Sequence, residues 1–208
     1  MLQLEQAKWI VDAGANHGDF SYAANAHFPS AHCLLVEPLP QLHEELGKRC
    51  ANSGGRWFLE KSALGATNCV MPLYVSSGDD IGSLAGFSEE YSTAAGAKSS
   101  SQLECQVRTL DEVVIQYGIA EIDALKIDVE GFEFELLKGA AKSLAKTRSV
   151  IIEVSLVRNP SRHSNALLNM LTVLTDAGFD IVRVVPSLFD SGATWKPVEF
   201  NILARRSP

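Results

Sequence analysis

With 208 residues and a net charge of −7, the chain suits one domain with a substantial core, and the charge argues against nucleic acid as a main partner, since phosphate neutralisation needs a basic face. Its 46% hydrophobic and 21% charged residues are a soluble globular mix; no apolar run is long enough to span a bilayer, and no basic-then-apolar leader opens the chain, so a cytoplasmic location is expected. Cys33, Cys50, Cys69 and Cys105 show neither Cys-x-x-Cys spacing nor neighbouring histidine pairs, which argues against a zinc site or a disulfide framework and predicts no metal ligand set.

Residues 1–8 are a short polar lead-in, too short to cap a pocket. The first strand follows, with β-branched Ile10 and Val11 running into Asp12 and then into Gly14 and Gly18. Glycine at such a loop lets the backbone turn sharply and approach a ligand, and the helix predicted over 19–27 offers unpaired N–H groups at its first turn. A second apolar strand, Cys33 to Val36, ends in Glu37, placed to accept hydrogen bonds from the hydroxyls of a ribose. Strand, aspartate, glycines, helix, strand and glutamate in this order predict a nucleoside site.

A dinucleotide site would show Gly-x-Gly-x-x-Gly; this loop instead carries Ala15, Asn16 and His17 between Gly14 and Gly18, which weakens a pyrophosphate reading. Asp12, expected inside the pocket, would repel a diphosphate and attract the ammonium of an amino-acid moiety. S-adenosylmethionine therefore fits better than NAD.

Pro38 and Pro40 lead into a helix over Gln41 to Ala51, and a third strand, Arg56 to Lys61, ends in Ser62, Ala63, Leu64 and Gly65, where an adenine ring would meet the strand end. Val70 to Val75 and Glu104 to Arg108 read as strands flanking a weakly periodic segment, 76–102, expected as a lid or a surface excursion with Ser83 and Leu84 as its ordered contacts. Asp111 is expected to cap a helix over Glu112 to Tyr117 that Gly118 ends. The next strand, Ala124 to Asp128, runs into Glu130, Gly131 and a helix from Phe132 to Ala145. A buried strand from Ser149 to Ser155 carries Glu153 near its end, and a helix from Asn165 to Ala177 stops at Gly178. Ile181 to Val185 and Phe200 to Ala204, joined by a loop with Pro186 and Trp195, predict an antiparallel edge on an otherwise parallel sheet. No repeat or domain boundary interrupts residues 1–208.

Ligands of open α/β sheets bind beyond the carboxyl ends of the strands, where Asp12, Glu37, Ser62, Asp128 and Glu153 fall. Asp128 and Glu130 are expected where a methyl donor meets its acceptor, to orient the donor or to take the acceptor's proton. Lys126 and Glu133 read equally well as an ion pair at a helix start, and His17 more readily as a loop residue than as a base.

Asp12-Ala-Gly-Ala-Asn-His-Gly, Glu37-Pro-Leu-Pro, Ser62-Ala-Leu-Gly, Arg108-Thr-Leu-Asp-Glu, Lys126-Ile-Asp-Val-Glu-Gly-Phe-Glu and Ile152-Glu-Val, in this order, resemble the FkbM-type S-adenosylmethionine-dependent methyltransferases over residues 9–156. The resemblance implies a Rossmann-like class I fold, with a mostly parallel seven-stranded sheet, an antiparallel edge strand and helices on both faces. It implies methyl transfer to a hydroxyl of a small molecule, sugar or glycan. Carried over, Asp12, Gly14, Asn16, Gly18, Glu37, Ser62, Ala63 and Asp128 would surround the donor, with Asp128 and Glu130 nearest the methyl. Many relatives carry helices before the first strand that help cover the acceptor pocket; the eight residues here are expected not to, which leaves open the choice of acceptor and whether a partner or the second subunit of a homo-oligomer completes the pocket. The competing readings are an NAD-dependent oxidoreductase and a non-catalytic S-adenosylmethionine-binding module.

Overall fold

A computed structural model describes residues 6–76, 82–86, 99–156, 166–189 and 197–206. The main sheet is built from strands β1 (Trp9–Ala13), β2 (His32–Val36), β3 (Trp57–Glu60), β8 (Ile122–Ile127), β9 (Thr147–Ser155), β10 (Phe179–Phe189) and β11 (Pro197–Arg206), in the order β10-β11-β9-β8-β1-β2-β3. The five strands from β3 to β9 run parallel, as the alternation of apolar strands with helices demands. Strand order reverses at β1, between β2 and β8, which opens a crevice at the carboxyl ends there.

Successive residues of the central strands face opposite layers, and both layers are buried. Val11, Leu34, Leu125 and Ile152 pack beneath helices α3 (Leu110–Gln116), α4 (Glu133–Lys138), α5 (Ala141–Ala145) and α6 (Ala166–Asp176). Ile10, Cys33, Leu35 and Ala124 face α1 (Asp19–His27), α2 (His43–Ala51) and a short 3₁₀ turn, Pro40–Leu42. Among the described residues no helix is long and apolar enough to cross a membrane.

The antiparallel strand is β11, and it lies inside the sheet rather than at its edge: it pairs with both β9 and β10, and β10 takes the rim. The excursion through α6 passes over one strand position, and the returning chain fills the gap. Pro186, expected in a loop, belongs to β10, where a missing N–H can be tolerated on the unpaired side of an edge strand; Trp195 lies outside the described residues.

A second sheet of β4 (Ala63–Leu64), β5 (Cys69–Ser76), β6 (Gly82–Ser83) and β7 (Ser99–Arg108), in the order β4-β7-β5-β6, was not foreseen as a separate layer. Its apolar residues Leu73, Val75 and Val107 join the core over Leu39 and Ala63. Of the segment 76–102, Ser76, 82–86 and the start of β7 are described; the rest of the expected lid lies outside the described residues.

Two helix boundaries differ from expectation. Thr109, not Asp111, caps α3, its side chain accepting from Glu112 N; Asp111 reaches instead to the N–H groups of Lys142 and Ser143 and caps α5. The helix expected from Phe132 to Ala145 is broken between α4 and α5 at Gly139, where a Cβ would stand 2.1 Å from Gly65 O. That close approach brings the end of α4 against the chain leaving β4 and requires glycine there.

Candidate active site

At the end of β1 the backbone turns through Gly14 (φ +75) and Asn16 (φ +48), with the N–H groups of Gly14 and Ala15 both donating to Val36 O at 3.0 Å. Only glycine fits the first position: a Cβ there would lie 1.8 Å from Asp128 O. The turn brings β1, β2 and β8 together at one point and delivers Asn16 N to Glu37 Oε2 at 2.7 Å. Leu39 N donates to the other oxygen, Oε1, at 3.0 Å. Burial pushes Glu37 above the ordinary carboxylate range, and the N–H groups of Leu39 and Asn16 pull it partly back. Both oxygens keep a lone pair for a further donor.

Beneath the loop, Lys126 ties three groups together. Its Nζ donates to Gly14 O at 2.6 Å and lies 3.4 Å from both Asp12 Oδ1 and Asp128 Oδ2. Burial opposes the ammonium, yet Asp12 and Asp128 outweigh it and hold Lys126 above its ordinary value. Burial also raises Asp12, opposed by Lys126 and by the Ser21 hydroxyl, which donates to Oδ2 at 2.7 Å.

A cavity of about 240 Å³ opens above this layer. It is lined by Gly14, Asn16, Glu37, Ser62, Ala63 and Lys126 from the strand ends and the turns after them, by Leu39 and by Leu73, Gly82 and Leu84 of the second sheet and its flank, and by Asp128, Val129, Glu130 and Phe132 after β8. Ser62 Oγ and Asp128 Oδ1 are buried and find no hydrogen-bond partner among the described residues. Glu130 (φ +57) and Gly131 (φ +93) are two consecutive left-handed residues, and Ser83 Oγ lies 2.6 Å from Glu130 O. A non-glycine residue in that region is held there by its surroundings, as at many ligand clamps.

Farther toward β9 the carboxylates crowd. Glu133, wholly buried at the start of α4, accepts from Gly131 N at 2.9 Å and Val129 N at 3.3 Å, yet burial pushes it up to about 7. Glu153, near the end of β9, is pushed up to about 8 by burial and by the charges of Asp128, Glu199 and Glu133.

Residues 12–181 match the methyltransferase FkbM domain. The chain belongs to the FkbM methyltransferase family. It is similar to methyltransferase sdnD of Sordaria araneosa, 27% identical over 95% of this chain and 81% of that one. It is also similar to 2-O-methyltransferase NoeI of Sinorhizobium fredii, 26% identical over 70% of this chain and 63% of that one. The crystal structure of methyltransferase FkbM from Methylobacillus flagellatus superposes with a TM-score of 0.58 at 16% identity, over 97% of this chain but only 45% of that chain. Aeropyrum pernix fibrillarin, crystallised with natively bound S-adenosyl-L-methionine, superposes with a TM-score of 0.55 at 13% identity. The fold is that of the class I methyltransferases.

Within this FkbM domain, seven residues expected at the site share the cavity: Gly14, Asn16, Glu37, Ser62, Ala63, Asp128 and Glu130. Two do not reach it. Asp12, expected to project a carboxylate into the pocket, is fully buried below it between Ser21 and Lys126, because strand alternation turns it toward α1. Gly18 (φ +79) caps α1, and a Cβ there would crowd Leu46 and Leu35, so its glycine serves the packing of α1 on α2. Lys126, weighed as an ion-pair partner, is the pin of the loop; its alternation with Asp128 was the available signal. Leu73, Gly82 and Leu84 come from the second sheet. Leu84 had been named among the contacts, but Leu73 carried no signal beyond its strand pattern. His17 lies off the cavity wall with Nδ1 2.9 Å from Glu45 Oε2 on α2.

Proposed function

We propose that this FkbM-family chain transfers a methyl group from S-adenosylmethionine to a hydroxyl oxygen of a small molecule, sugar or glycan. The observation that carries the reading is Glu37: a carboxylate at the tip of β2, held by two backbone N–H groups, on the wall of a cavity at the switch point of the sheet. That arrangement presents two oriented acceptors to the two hydroxyls of a ribose. The donor set fits the rest of an adenosyl ligand. Ser62 Oγ offers a buried, unused hydroxyl at the strand end next to the ribose position, and Leu39, Leu73, Leu84 and Phe132 supply apolar walls for a purine. Asp128 and Glu130 then flank the sulfonium end.

When bound, S-adenosylmethionine supplies a methyl carbon activated by a positive sulfur that departs as a neutral thioether and needs no acid. The residues of this chain align donor and acceptor, exclude water and provide carboxylates for the acceptor's proton. NoeI, by its name a 2-O-methyltransferase, supports oxygen as the receiving atom.

The test is calorimetric titration of the purified protein with S-adenosylmethionine, S-adenosylhomocysteine and NAD. Micromolar binding of the two adenosyl ligands, lost in Glu37→Ala and absent for NAD, is expected. Folded protein that binds neither adenosyl ligand would end this reading.

A further inference from the structure

Strands β8 and β9 are parallel, with Ile127 opposite Ile152, so the next residues, Asp128 and Glu153, stand side by side at the strand ends, about 4.8 Å apart along the sheet. The cavity assigned to the donor is lined by residues at the ends of β1, β2 and β3, by the second sheet and by Asp128 to Glu130 after β8, the strand next to β9. In-line displacement requires the acceptor to come from the side opposite the departing sulfur, which is beyond Asp128 and over β9. Past Asp128 and Glu130, which line the cavity itself, the next carboxylate along the sheet in that direction is Glu153.

We propose that Glu153 is the catalytic base, taking the proton of the acceptor hydroxyl as its oxygen attacks the methyl carbon; the inference rests on the methyl-transfer reading above. Asp128 and Glu130 line the donor cavity and are assigned to its sulfonium end. Asp128 Oδ2 lies 3.4 Å from Lys126 Nζ and would forfeit that ion pair on accepting a proton. Glu133 is buried, its Oε1 accepts from the N–H groups of Val129 and Gly131, and it does not line the cavity. Glu153 is only partly buried, so a proton taken there can pass to water.

The groups facing Glu153 are Asp128 and Lys126 from β8, Glu199 from β11 and Glu133 from α4. Burial and the three carboxylates outweigh the lysine and bring Glu153 to about 8, near the working pH at which a base is most effective. Arrival of the positively charged donor weakens its hold on that proton, which leaves to solvent and readies the base. In the transfer a C–O bond forms, the C–S bond breaks with its electron pair going to sulfur, and the hydroxyl proton moves to Glu153. The neutral thioether product no longer favours the ionised form.

The test compares S-adenosylmethionine with S-adenosylhomocysteine, which differ by the methyl and its charge, in calorimetry at pH 7 in two buffers of different ionisation enthalpy. Wild-type protein should release more protons with S-adenosylmethionine, the excess reaching at most about 0.9 per site for a group of pKa near 8. Glu153→Gln should bind both ligands within about threefold of wild type while the excess vanishes, and Glu153→Asp should restore part of it. A readout that needs no variant is the wild-type affinity ratio of the two ligands, expected to rise about tenfold in favour of S-adenosylmethionine between pH 7 and 9. A flat ratio, or an excess that survives in Glu153→Gln, overturns the assignment while leaving the donor site intact. Failure of both ligands to bind overturns the methyl-donor reading itself.

Discussion

Two groups of carboxylates, buried or partly buried, border the cavity region, and they solve the same problem differently. On the β1–β2 side, Asp12 and Glu37 are each given partners: Ser21 and Lys126 for the one, the N–H groups of Asn16 and Leu39 for the other. On the β8–β9 side, burial and the charges of Asp128, Glu199 and Glu133 push Glu153 up to about 8, so that part of its compensation is a proton. Donors that persist through binding make a fixed receptor, whereas shared protons make a group whose charge responds to what arrives. The first suits recognition of a ribose and the second suits proton transfer.

Lys126 belongs to both groups, and removing it should have the largest effect. Lys126→Met leaves Asp12 charged and fully buried with only Ser21 to offset it, at an expected cost of about 3–5 kcal/mol in urea unfolding. Adding Asp12→Asn should recover part of that loss, because the uncompensated charge goes with it.

Glu37→Gln breaks the receptor side selectively. A glutamine places its NH₂ against the N–H of either Asn16 or Leu39, so binding of S-adenosylhomocysteine should weaken at least tenfold, about 1.4 kcal/mol, in calorimetry. A loss no larger than that of a control substitution on α6 would remove Glu37 from the receptor.

On the proton side the sign of the effect reverses. A carboxyl raised to about 8 binds its proton more tightly folded than unfolded, so it favours the native state at low pH, and that contribution is lost as pH rises from about 4.5 through 8. Glu153→Gln should therefore stabilise the protein above pH 8, by about 1 kcal/mol or more, and flatten the alkaline limb of stability against pH. Thermal unfolding at pH 6 and pH 9 checks this, and an unchanged limb would show that Glu153 carries little of the strain. The same substitution is expected to abolish the base, so the site sacrifices stability for function.

The smallest effect falls on the roof of the cavity. Ser83→Ala removes the 2.6 Å contact to Glu130 O and should cost about 1 kcal/mol, with a loss of donor affinity of no more than severalfold.

The strand ends were legible because they are short-range signals. Two β-branched residues, a carboxylate and a glycine place Gly14, and an acidic residue after an apolar strand places Glu37. What the local pattern could not convey was direction. Asp12 sits at the right strand end, but which layer it faces depended on whether its neighbours Val11 and Ala13 pack under α3–α6 or α1–α2. Asp111 read as the cap of the helix beginning beside it, whereas it caps α5, thirty-odd positions away, at Lys142 and Ser143. The single helix expected across Gly139 failed for a related reason: the approach of Gly65 is invisible in the local periodicity.

The sequence by itself determined the alternation of elements, the glycine turn and the carboxylates at the strand tips, because each depends on residues a few positions apart and on the pitch of strand or helix. Tertiary structure alone decided the rest. It put β11 between β9 and β10, laid Leu73, Gly82 and Leu84 over the cavity, turned Asp12 down onto Lys126 and set Glu153 beside Asp128. Each of these depends on which distant segments share a face, and burial then sets which carboxylates keep a charge and which hold a proton.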